Sequence, residues 1–296
     1  MKPITTAIIP AGGWGTRFLP GTKSIPKEMF PLGHKPVILH VVEEAVASGI
    51  QNIIFVVSHH KQSIESFFSS NEILEDYFFR KNKKAQVQQL QAITKLAEFS
   101  FVYTKPPFGN GGALQAARHL IGEGPFALIW SDEIIFSKKK PRLKQCLEAY
   151  YKYRKPVISA VEITDVAKRQ RYGMAELNDI PGEKEIKEIL NIIEKPEPGK
   201  EPSSFAAHGA YILPPQIFSA LDETKPGKNG ELWLTDIINN MKKETGLLAK
   251  IIPDGHYLDC GAPLEYLFSQ IDYFVNYSPY SKEVLSYLNQ GVCKRR

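Results

Sequence analysis

Three glycines and two basic residues near the N-terminus have the types and spacing of a phosphate-binding turn. Gly12, Gly13 and Gly15 follow an apolar, strand-like run. Glycine lets backbone N–H groups come close to a ligand, because it has no Cβ and tolerates positive φ. Arg17 and Lys27 add positive charge where the oxygens of a polyphosphate would lie. The turn is therefore predicted to bind an anion, and a simple tight turn is the alternative for the glycines alone.

The spacing of this turn excludes the two best-known phosphate-binding loops. A P-loop needs Gly-x-x-x-x-Gly-Lys followed by Ser or Thr, and a dinucleotide-binding loop needs Gly-x-Gly-x-x-Gly leading directly into a helix. The chain instead continues with Pro20, Pro26, Pro31 and Pro36. Because proline disfavours a helix at its own position and at the preceding residue, the segment after Gly15 is predicted to be an extended loop that folds back over the strand end.

Two aspartates follow short apolar runs, and the first of them is a candidate ligand for a divalent cation. Asp132 follows Phe-Ala-Leu-Ile-Trp-Ser, and Asp259 lies in His-Tyr-Leu-Asp-Cys-Gly. In an open α/β sheet, ligands collect beyond the carboxyl ends of the strands. A carboxylate there can hold Mg²⁺ against nucleotide phosphates, because this ion takes one or two protein carboxylates together with phosphate oxygens. The alternative for Asp132 is a turn or helix-capping role, and the residues around Asp259 alone predict a turn residue.

Glu194, Lys195 and Pro196 end another strand-like run. Proline stops the strand and leaves Lys195 at its rim, where the ammonium group can bind a sugar phosphate. Glu194 can accept hydrogen bonds from ribose or sugar hydroxyls. A solvated surface pair is the alternative.

Alternating strands and helices must position these residues. Residues 52–58 form the continuous apolar run of a strand covered on both faces, and residues 37–48 have the spacing of a helix. Further strands are predicted at residues 101–104, 125–130, 157–161, 173–177, 186–193 and 204–213. Further helices are predicted at residues 62–80, 112–120, 232–243 and 263–277. This alternation predicts an α/β fold with a Rossmann-like, doubly wound, mostly parallel mixed sheet, helices on both faces and a small antiparallel addition.

A series of short segments resembles the sugar-1-phosphate nucleotidyltransferases and covers the chain from Ile4 to about Phe274. In order, the segments are Gly-Gly-Trp-Gly-Thr-Arg, Pro-Lys-Glu-Met-Phe-Pro-Leu, Gly-Asn-Gly-Gly-Ala, Ser-Asp-Glu, Tyr-Gly, Glu-Lys-Pro, Gly-Glu-Leu-Trp-Leu-Thr-Asp and Leu-Asp-Cys-Gly. The segment at residues 26–29 is most similar to the bacterial branch that transfers uridylyl groups. The resemblance implies a Mg²⁺-dependent enzyme with two small-molecule substrates, UTP and glucose 1-phosphate, which it converts to UDP-glucose and pyrophosphate.

The resemblance also implies a role for each matched position. The expected catalytic residues are Arg17 and Lys27. The expected nucleotide-binding residues are Gly12, Gly13, Glu28, Thr104 and Gly109. The residues expected near glucose 1-phosphate are Gly173, Glu194 and Lys195. The expected Mg²⁺ ligands are Asp132 and Asp259.

The residue expected to contact the base departs from the family pattern. Uridylyl-transferring relatives commonly have glutamine five residues before a Gly-Leu-Gly segment, whereas counting back from Gly109 gives Thr104, which has a shorter side chain. Glu28 still favours uracil, because thymidylyl-transferring relatives commonly have glutamine at that position. A thymidylyl- or cytidylyltransferase is therefore one alternative. A non-catalytic regulatory paralogue that binds sugar nucleotides is another, although the expected charged residues are all present.

Composition favours a globular protein of the cytoplasm. The 296 residues are 43% apolar and 23% charged, and no apolar run is long enough to cross a bilayer. The N-terminus lacks a secretory signal, and three scattered cysteines, Cys146, Cys260 and Cys293, fit a reducing compartment. The net charge of +5 is spread along the chain without a nucleic-acid-binding motif. Neither a membrane nor a nucleic acid is an expected partner.

The chain length allows one large domain with a helical tail. The nucleotidyltransferase domain is expected over residues 1–277, with a nucleotide-binding part at about 1–165 and a sugar-binding part at about 166–262. The tail is expected at residues 278–296. Aromatic residues near the C-terminus are candidates for the interface of a homo-oligomer.

Overall fold

The computed structural model describes residues 2–104, 109–227 and 230–291. Its strands are β1 (Thr6–Ala11), β2 (Pro31–Leu32), β3 (Lys35–Pro36), β4 (Asn52–Ser58), β5 (Glu98–Thr104), β6 (Phe126–Ile129), β7 (Glu133–Ser137), β8 (Val157–Glu162), β9 (Gly173–Asp179), β10 (Ile186–Glu194), β11 (Phe205–Leu213), β12 (Leu248–Ile251) and β13 (Gly255–Asp259). Its helices are α1 (Val37–Ala47), α2 (Gln62–Phe68), α3 (Glu72–Arg80), α4 (Lys84–Thr94), α5 (Gly112–Ala117), α6 (Arg142–Tyr153), α7 (Gln216–Glu223), α8 (Leu234–Thr245), α9 (Pro263–Asn276) and α10 (Ser281–Gly291). Strands and helices alternate over part of the chain, as the sequence predicts, but α2–α4 are successive helices and β9–β11 are successive strands.

The main sheet has the strand order β5-β4-β1-β6-β11-β8-β12-β10-β9 over the described residues. Strands β5, β4, β1 and β6 are parallel to one another. Beyond β6 the neighbours are antiparallel, apart from the parallel pair β8 and β12. The predicted α/β fold with a mixed sheet is confirmed. The sheet is less parallel than predicted, because the later antiparallel strands join the main sheet instead of forming a small separate addition.

Helices cover both faces of the sheet because successive strand residues point to opposite sides. Ile9 and Phe55 pack in one core with α1 and α6. Ile8 and Ile54 pack in a second core with α5, α7 and α8. Burial on both faces explains why β1 and β4 have nearly continuous apolar sequences.

The carboxyl ends of β1, β4 and β5 lie at one edge of the sheet. The register pairs Ala11 with Val57, and Ser58 with Thr104. The loop after β1 folds over this edge in three short 3₁₀ turns, Thr16–Phe18, Gly21–Lys23 and Lys27–Met29. The predicted folded-back loop is confirmed, with tight turns between its prolines.

A short antiparallel ribbon joins two distant parts of the chain. Strand β7, which follows β6, pairs with β13, and the register places Glu133 opposite Asp259. The sequence prediction did not include β7. This ribbon brings the Asp132 and Asp259 segments together.

Several predicted elements are shorter or divided in the structure. The helix predicted at residues 62–80 is two helices, α2 and α3, and Asn71 caps the second by accepting a hydrogen bond from the Leu74 N–H at 3.1 Å. The sequence prediction did not include α6, α7 and β12. In the described part of the chain, no helix is both long and apolar enough to cross a membrane. Cys293 and the end of the predicted tail, residues 292–296, lie outside the described residues.

Candidate active site

Two adjoining pockets lie over the carboxyl ends of the central strands. The first, about 420 Å³ in volume, is called the glycine pocket, and the predicted residues that line it are Gly12, Gly13, Lys27, Glu28, Thr104, Gly109 and Asp132. The second, about 360 Å³, is called the acidic pocket, and its predicted residues are Arg17, Lys27, Asp132, Gly173, Glu194, Lys195 and Asp259. Lys27, Asn110, Trp130 and Asp132 line both. Every predicted site residue therefore lies in one continuous cleft, while the role of each stays a prediction.

The glycine pocket begins where β1 leaves the sheet. The Ser58 hydroxyl donates to the carbonyl oxygen of Gly12 at 2.5 Å. An ideal Cβ at Gly12 would lie 3.8 Å from Thr104 Oγ1, whereas one at Gly13 would meet nothing within 4 Å. The turn therefore rests against the end of the sheet at Gly12 and faces open space at Gly13. This arrangement leaves backbone groups accessible to a ligand.

The segment before α8 closes the far side of the glycine pocket. The Gly111 N–H donates to the carbonyl oxygen of Leu232 at 2.9 Å, and Asn110 Oδ1 accepts from the Leu234 N–H at 2.7 Å. An ideal Cβ at Gly109 would lie 2.3 Å from the same carbonyl oxygen of Leu232. Only a glycine allows this close approach of the two backbones. The contact joins the turn at residues 109–111 to the wall of the acidic pocket.

Lys27 and Asp132 form an ion pair at the junction of the pockets. Burial alone would lower the pKa of Lys27, but the carboxylates of Asp132 and Glu28 outweigh burial and raise it. Burial alone would raise the pKa of Asp132, but the charge and hydrogen bond of Lys27 lower it. Both groups are therefore charged at neutral pH. Arg17 lies nearby, exposed at the mouth of the acidic pocket.

Asp259 is held by two hydrogen bonds at the end of β13. Its Oδ2 accepts from the Tyr172 hydroxyl at 2.9 Å, and its Oδ1 accepts from the Gly261 N–H at 2.7 Å. Burial raises the pKa of Asp259, and the nearby charge of Asp132 acts in the same direction. A cation between the two carboxylates would relieve this repulsion.

Asp132 and Asp259 lie on the same side of Gly261 and fit a Mg²⁺ site. An ideal Cβ at Gly261 would lie 3.1 Å from Asp132 Oδ2 and 3.1 Å from Asp259 Oδ1. Over the described ranges, no group of three or more His, Cys, Asp and Glu residues is arranged to hold a metal ion. Two carboxylates suit Mg²⁺, which keeps its other positions for water and phosphate oxygens.

The predicted sugar-phosphate residues also line the acidic pocket. Lys195 follows β10 with φ +46, and its ammonium lies 4.5 Å from the centre of the Trp233 ring and 3.6 Å from Glu194 Oε1. The Thr235 hydroxyl donates to Glu194 Oε2 at 2.8 Å. An ideal Cβ at Gly173 would lie 3.1 Å from the same oxygen. The loose contact with Glu194 leaves the half-exposed Lys195 ammonium accessible to an anion.

Glu28 lies beneath the glycine pocket, where the sequence predicts a base contact. Both of its carboxylate oxygens lie 2.8 Å from Lys61 Nζ, and each side chain is only 1% exposed. Lys61 ends the short turn that follows β4 and was not among the predicted site residues. No local pattern distinguishes it from a surface lysine, because its partner comes from a different segment.

Behind Asp132 lies a buried polar network that the sequence prediction did not include. His208 Nε2 lies 3.0 Å from Glu133 Oε1 and 2.6 Å from the Tyr257 hydroxyl. Burial, together with the carboxylates of Asp132 and Asp259, raises the pKa of Glu133 well above its ordinary value. Burial and the Arg142 charge lower the pKa of His208 to about 3, although Asp132 opposes the shift. The lowered pKa leaves His208 neutral at pH 7.

Comparison with known proteins gives consistent matches over most of the chain. The sequence profile of the family described as nucleotidyl transferase matches residues 6–273. The chain is 37% identical over 292 residues to a UTP–glucose-1-phosphate uridylyltransferase of Staphylococcus haemolyticus, covering 98% of this chain and 99% of the relative.

Solved structures resemble the fold at similar coverage. A UTP-bound UGPase from Acinetobacter baumannii has a TM-score of 0.86 at 31% identity and covers 98% of this chain and 100% of its own. A UDP-glucose pyrophosphorylase complexed with UDP-glucose has a TM-score of 0.82 at 34% identity and covers 92% of this chain and 98% of its own.

Proposed function

The chain belongs to the nucleotidyl transferase family, and on that premise we propose that it transfers the uridylyl group of UTP to glucose 1-phosphate, giving UDP-glucose and pyrophosphate. The observation that carries the proposal is the continuous cleft in which two pockets meet at Lys27 and Asp132. A relative named for this activity, and similar folds solved with UTP and with UDP-glucose, support it.

Each pocket binds one of the two substrates. UTP lies in the glycine pocket with its phosphates against the turn at Gly12 and Gly13, and glucose 1-phosphate lies in the acidic pocket near Glu194 and Lys195. Each pocket has a volume within the range of small-molecule sites. The α-phosphorus of UTP then lies at the junction beside Lys27.

The reaction is an in-line displacement at phosphorus. A phosphate oxygen of glucose 1-phosphate forms a bond to the α-phosphorus while the bond to the departing pyrophosphate breaks, so the enzyme forms no covalent intermediate. The substrate phosphate is already an anion at neutral pH, and the main obstacle is bringing two anions together. Lys27 offsets charge at the α-phosphorus, Arg17 stabilises pyrophosphate and Lys195 binds the sugar phosphate.

We propose that Mg²⁺ binds to Asp132 and Asp259. Their shared position beside Gly261 supports this assignment. When bound, Mg²⁺ neutralises phosphate charge and helps to align the two substrates. The Tyr172 hydroxyl orients Asp259 through its hydrogen bond to Oδ2.

Base choice depends on the part of the glycine pocket next to Thr104 and Glu28. We propose uracil as the preferred base. The shorter Thr104 keeps thymine and cytosine as alternatives, because its hydroxyl reaches less far than the glutamine of related enzymes.

We also propose a cytoplasmic, homo-oligomeric protein. Exposed apolar side chains on α9 and α10 and in the turn between them support an interface between copies; they are Leu264, Leu267, Phe268, Tyr280 and Tyr287. Sedimentation of the purified protein should give a mass above that of one chain, and a monomer at all concentrations would contradict the oligomer.

Pyrophosphate release with a panel of nucleotides tests the function. With glucose 1-phosphate and Mg²⁺, UTP should give a higher kcat/KM than TTP, CTP or ATP, and Lys27→Ala serves as the inactive control. Faster turnover with TTP or CTP would move the assignment to another nucleotide. Tight UDP-glucose binding without Mg²⁺-dependent exchange of pyrophosphate into UTP would indicate a regulatory paralogue instead.

A further inference from the structure

Lys27 is close to two carboxylates that have different partners. Its ammonium pairs with Asp132, yet the charge of Glu28 also helps to raise the pKa of Lys27 against the effect of burial. Lys27 and Glu28 belong to the same 3₁₀ turn, Lys27–Met29. Both residues also line the glycine pocket.

Lys61 comes from a different part of the fold and forms an ion pair with the Glu28 carboxylate. It lies in the turn that connects β4 to α2, and its Nζ is 2.8 Å from both Glu28 oxygens. The side chains of Lys61 and Glu28 are each 1% exposed, so water scarcely reaches the pair. A buried carboxylate of this kind needs a cationic partner, because desolvation without one is strongly unfavourable.

Without Lys61, the buried Glu28 carboxylate would compete with Asp132 for the Lys27 ammonium. Lys27 is the adjacent residue, has a flexible four-carbon stem and already interacts with Glu28. A move toward Glu28 would withdraw the ammonium from the junction of the two pockets. A displacement of about 1 Å at a reacting centre can cost on the order of a hundredfold in rate.

We propose that Lys61 is a positioning residue for catalysis: by neutralising Glu28, it leaves Lys27 free to pair with Asp132 at the junction of the two pockets. This inference rests on the proposed role of Lys27 in uridylyl transfer. Lys61 itself contacts no substrate. Its effect on the reaction is indirect, because it determines whether Lys27 pairs with Asp132 or with Glu28.

The test compares Lys61→Met with the double variant Glu28→Gln/Lys61→Met. Lys61→Met should lower kcat for pyrophosphate release by about tenfold to a hundredfold. The double variant has no buried charge to attract Lys27, so its kcat should recover most of the loss seen in Lys61→Met. In a Lys27→Ala background, Lys61→Met should cause little further loss, because the two changes act on one interaction.

A crystal structure of unliganded Lys61→Met gives a readout that does not depend on the substrates. Lys27 Nζ should be paired with Glu28 in this variant and with Asp132 in the double variant. The matched control is Lys250→Met, which removes another buried lysine, paired with Glu185; neither residue lines the glycine pocket or the acidic pocket. Lys250→Met should lower the melting temperature while keeping the wild-type kcat.

Several outcomes would overturn the inference. They are a wild-type kcat in Lys61→Met, a double variant no more active than Lys61→Met, and Lys27 still paired with Asp132 in the Lys61→Met crystal. If Lys61→Met does not fold, the double variant still decides, because a folded double variant as inactive as Lys27→Ala contradicts the proposal. Failure of the wild type to use UTP and glucose 1-phosphate would instead contradict the proposed function, and the crystal structures would still test the placement of Lys27.

Discussion

Lys27 is the residue at which the two pockets meet, and its surroundings determine what it can do. Asp132 fixes its position and raises its pKa, so it carries a full positive charge at neutral pH. A permanently charged ammonium suits the stabilisation of phosphate charge and does not suit proton abstraction. The residue therefore acts as an electrostatic group in the proposed reaction.

Lys195→Ala should weaken the use of glucose 1-phosphate more than the binding of UTP. Loss of a charge-assisted contact costs about 1.5–3 kcal/mol, or roughly ten- to a hundredfold in KM for glucose 1-phosphate. Steady-state kinetics with each substrate varied, together with UTP titration calorimetry, measures the difference. Lys200→Ala is the control, since Lys200 is 72% exposed and pairs with Glu197 away from the cleft. Equal losses for both substrates would remove Lys195 from the sugar-phosphate site.

Asp132→Asn and Asp259→Asn should each abolish most of the stabilisation that Mg²⁺ and UDP-glucose together give the protein. At ligand concentrations a hundred times Kd, the wild type should gain about 2.7 kcal/mol. Thermal unfolding with and without the ligands measures this gain. Asp222→Asn, which changes an exposed aspartate paired with Arg118, is the control. An Asp259 variant with unaltered Mg²⁺ dependence would exclude Asp259 as a ligand.

At the scale of elements, a distortion in β11 makes room for a buried arginine behind the cleft. The pairing of β11 with β8 shifts between Ala207 and Tyr211, and Gly209 within this bulge has φ +88. The buried Arg142 guanidinium fills the space beside Gly209 and pairs with Glu44 at 2.9 Å. The bulge therefore makes room for the Arg142–Glu44 ion pair against β11. The same strand carries His208, which contacts Glu133.

Gly209→Ala should destabilise the protein by about 2 kcal/mol or more, because a non-glycine residue is strained at this φ and the ion pair of Arg142 must shift. An ideal Cβ would lie 2.0 Å from Arg142 Nη1. Urea denaturation measures the free energy of unfolding. Gly122→Ala is the control, since its Cβ would meet nothing within 4 Å. Similar stability in the two variants would show that β11 adapts more easily than this packing implies.

At the scale of the whole molecule, one sheet joins two kinds of strand pairing, and the cleft lies across the boundary. The glycine pocket lies over the parallel strands β1, β4 and β5, whereas the acidic pocket lies over β11, β10 and β9. The buried network of Glu133, His208 and Tyr257 lies between these halves, and its protonation affects the free energy of unfolding of the whole chain. In particular, His208 is kept neutral in the folded protein.

The stability of the folded protein should therefore depend on the protonation of His208. In the unfolded chain, His208 binds a proton below about pH 6.5, whereas in the folded protein it does so only near pH 3. The unfolded state binds more protons between these values, so this histidine lowers the free energy of unfolding as the pH falls through that window. Glu133 has the opposite effect, since its pKa is raised.

Comparison of the wild type with His208→Gln isolates the contribution of the histidine. Between pH 7.5 and 5.0, His208 should account for about 2 kcal/mol of the change in unfolding free energy. Urea denaturation at both pH values should show this difference in pH dependence between the two proteins. His119→Gln, at an exposed position, should behave like the wild type. An identical pH dependence in His208→Gln would show that His208 is not held neutral.

The sequence by itself determined the local features of this protein. Continuous apolar runs predicted β1, β4 and β6 because strands buried on both faces need apolar residues at every position. Short motifs predicted the residues of the cleft, since a turn that exposes backbone N–H groups needs glycine within a few adjacent positions. Glu194 and Lys195 were found in the same way, because a proline marks where their strand ends.

Only the tertiary structure decided which distant groups meet and which charges they carry. Pairing of β7 with β13 brings Asp132 to Asp259, and two such short strands have no periodicity long enough to reveal their register. The partner of Lys61, the buried Glu28, comes from another loop. The neutral state of His208 follows from burial beside Arg142, and a pKa depends on the surrounding charges and solvent in three dimensions, which the order of residues does not specify.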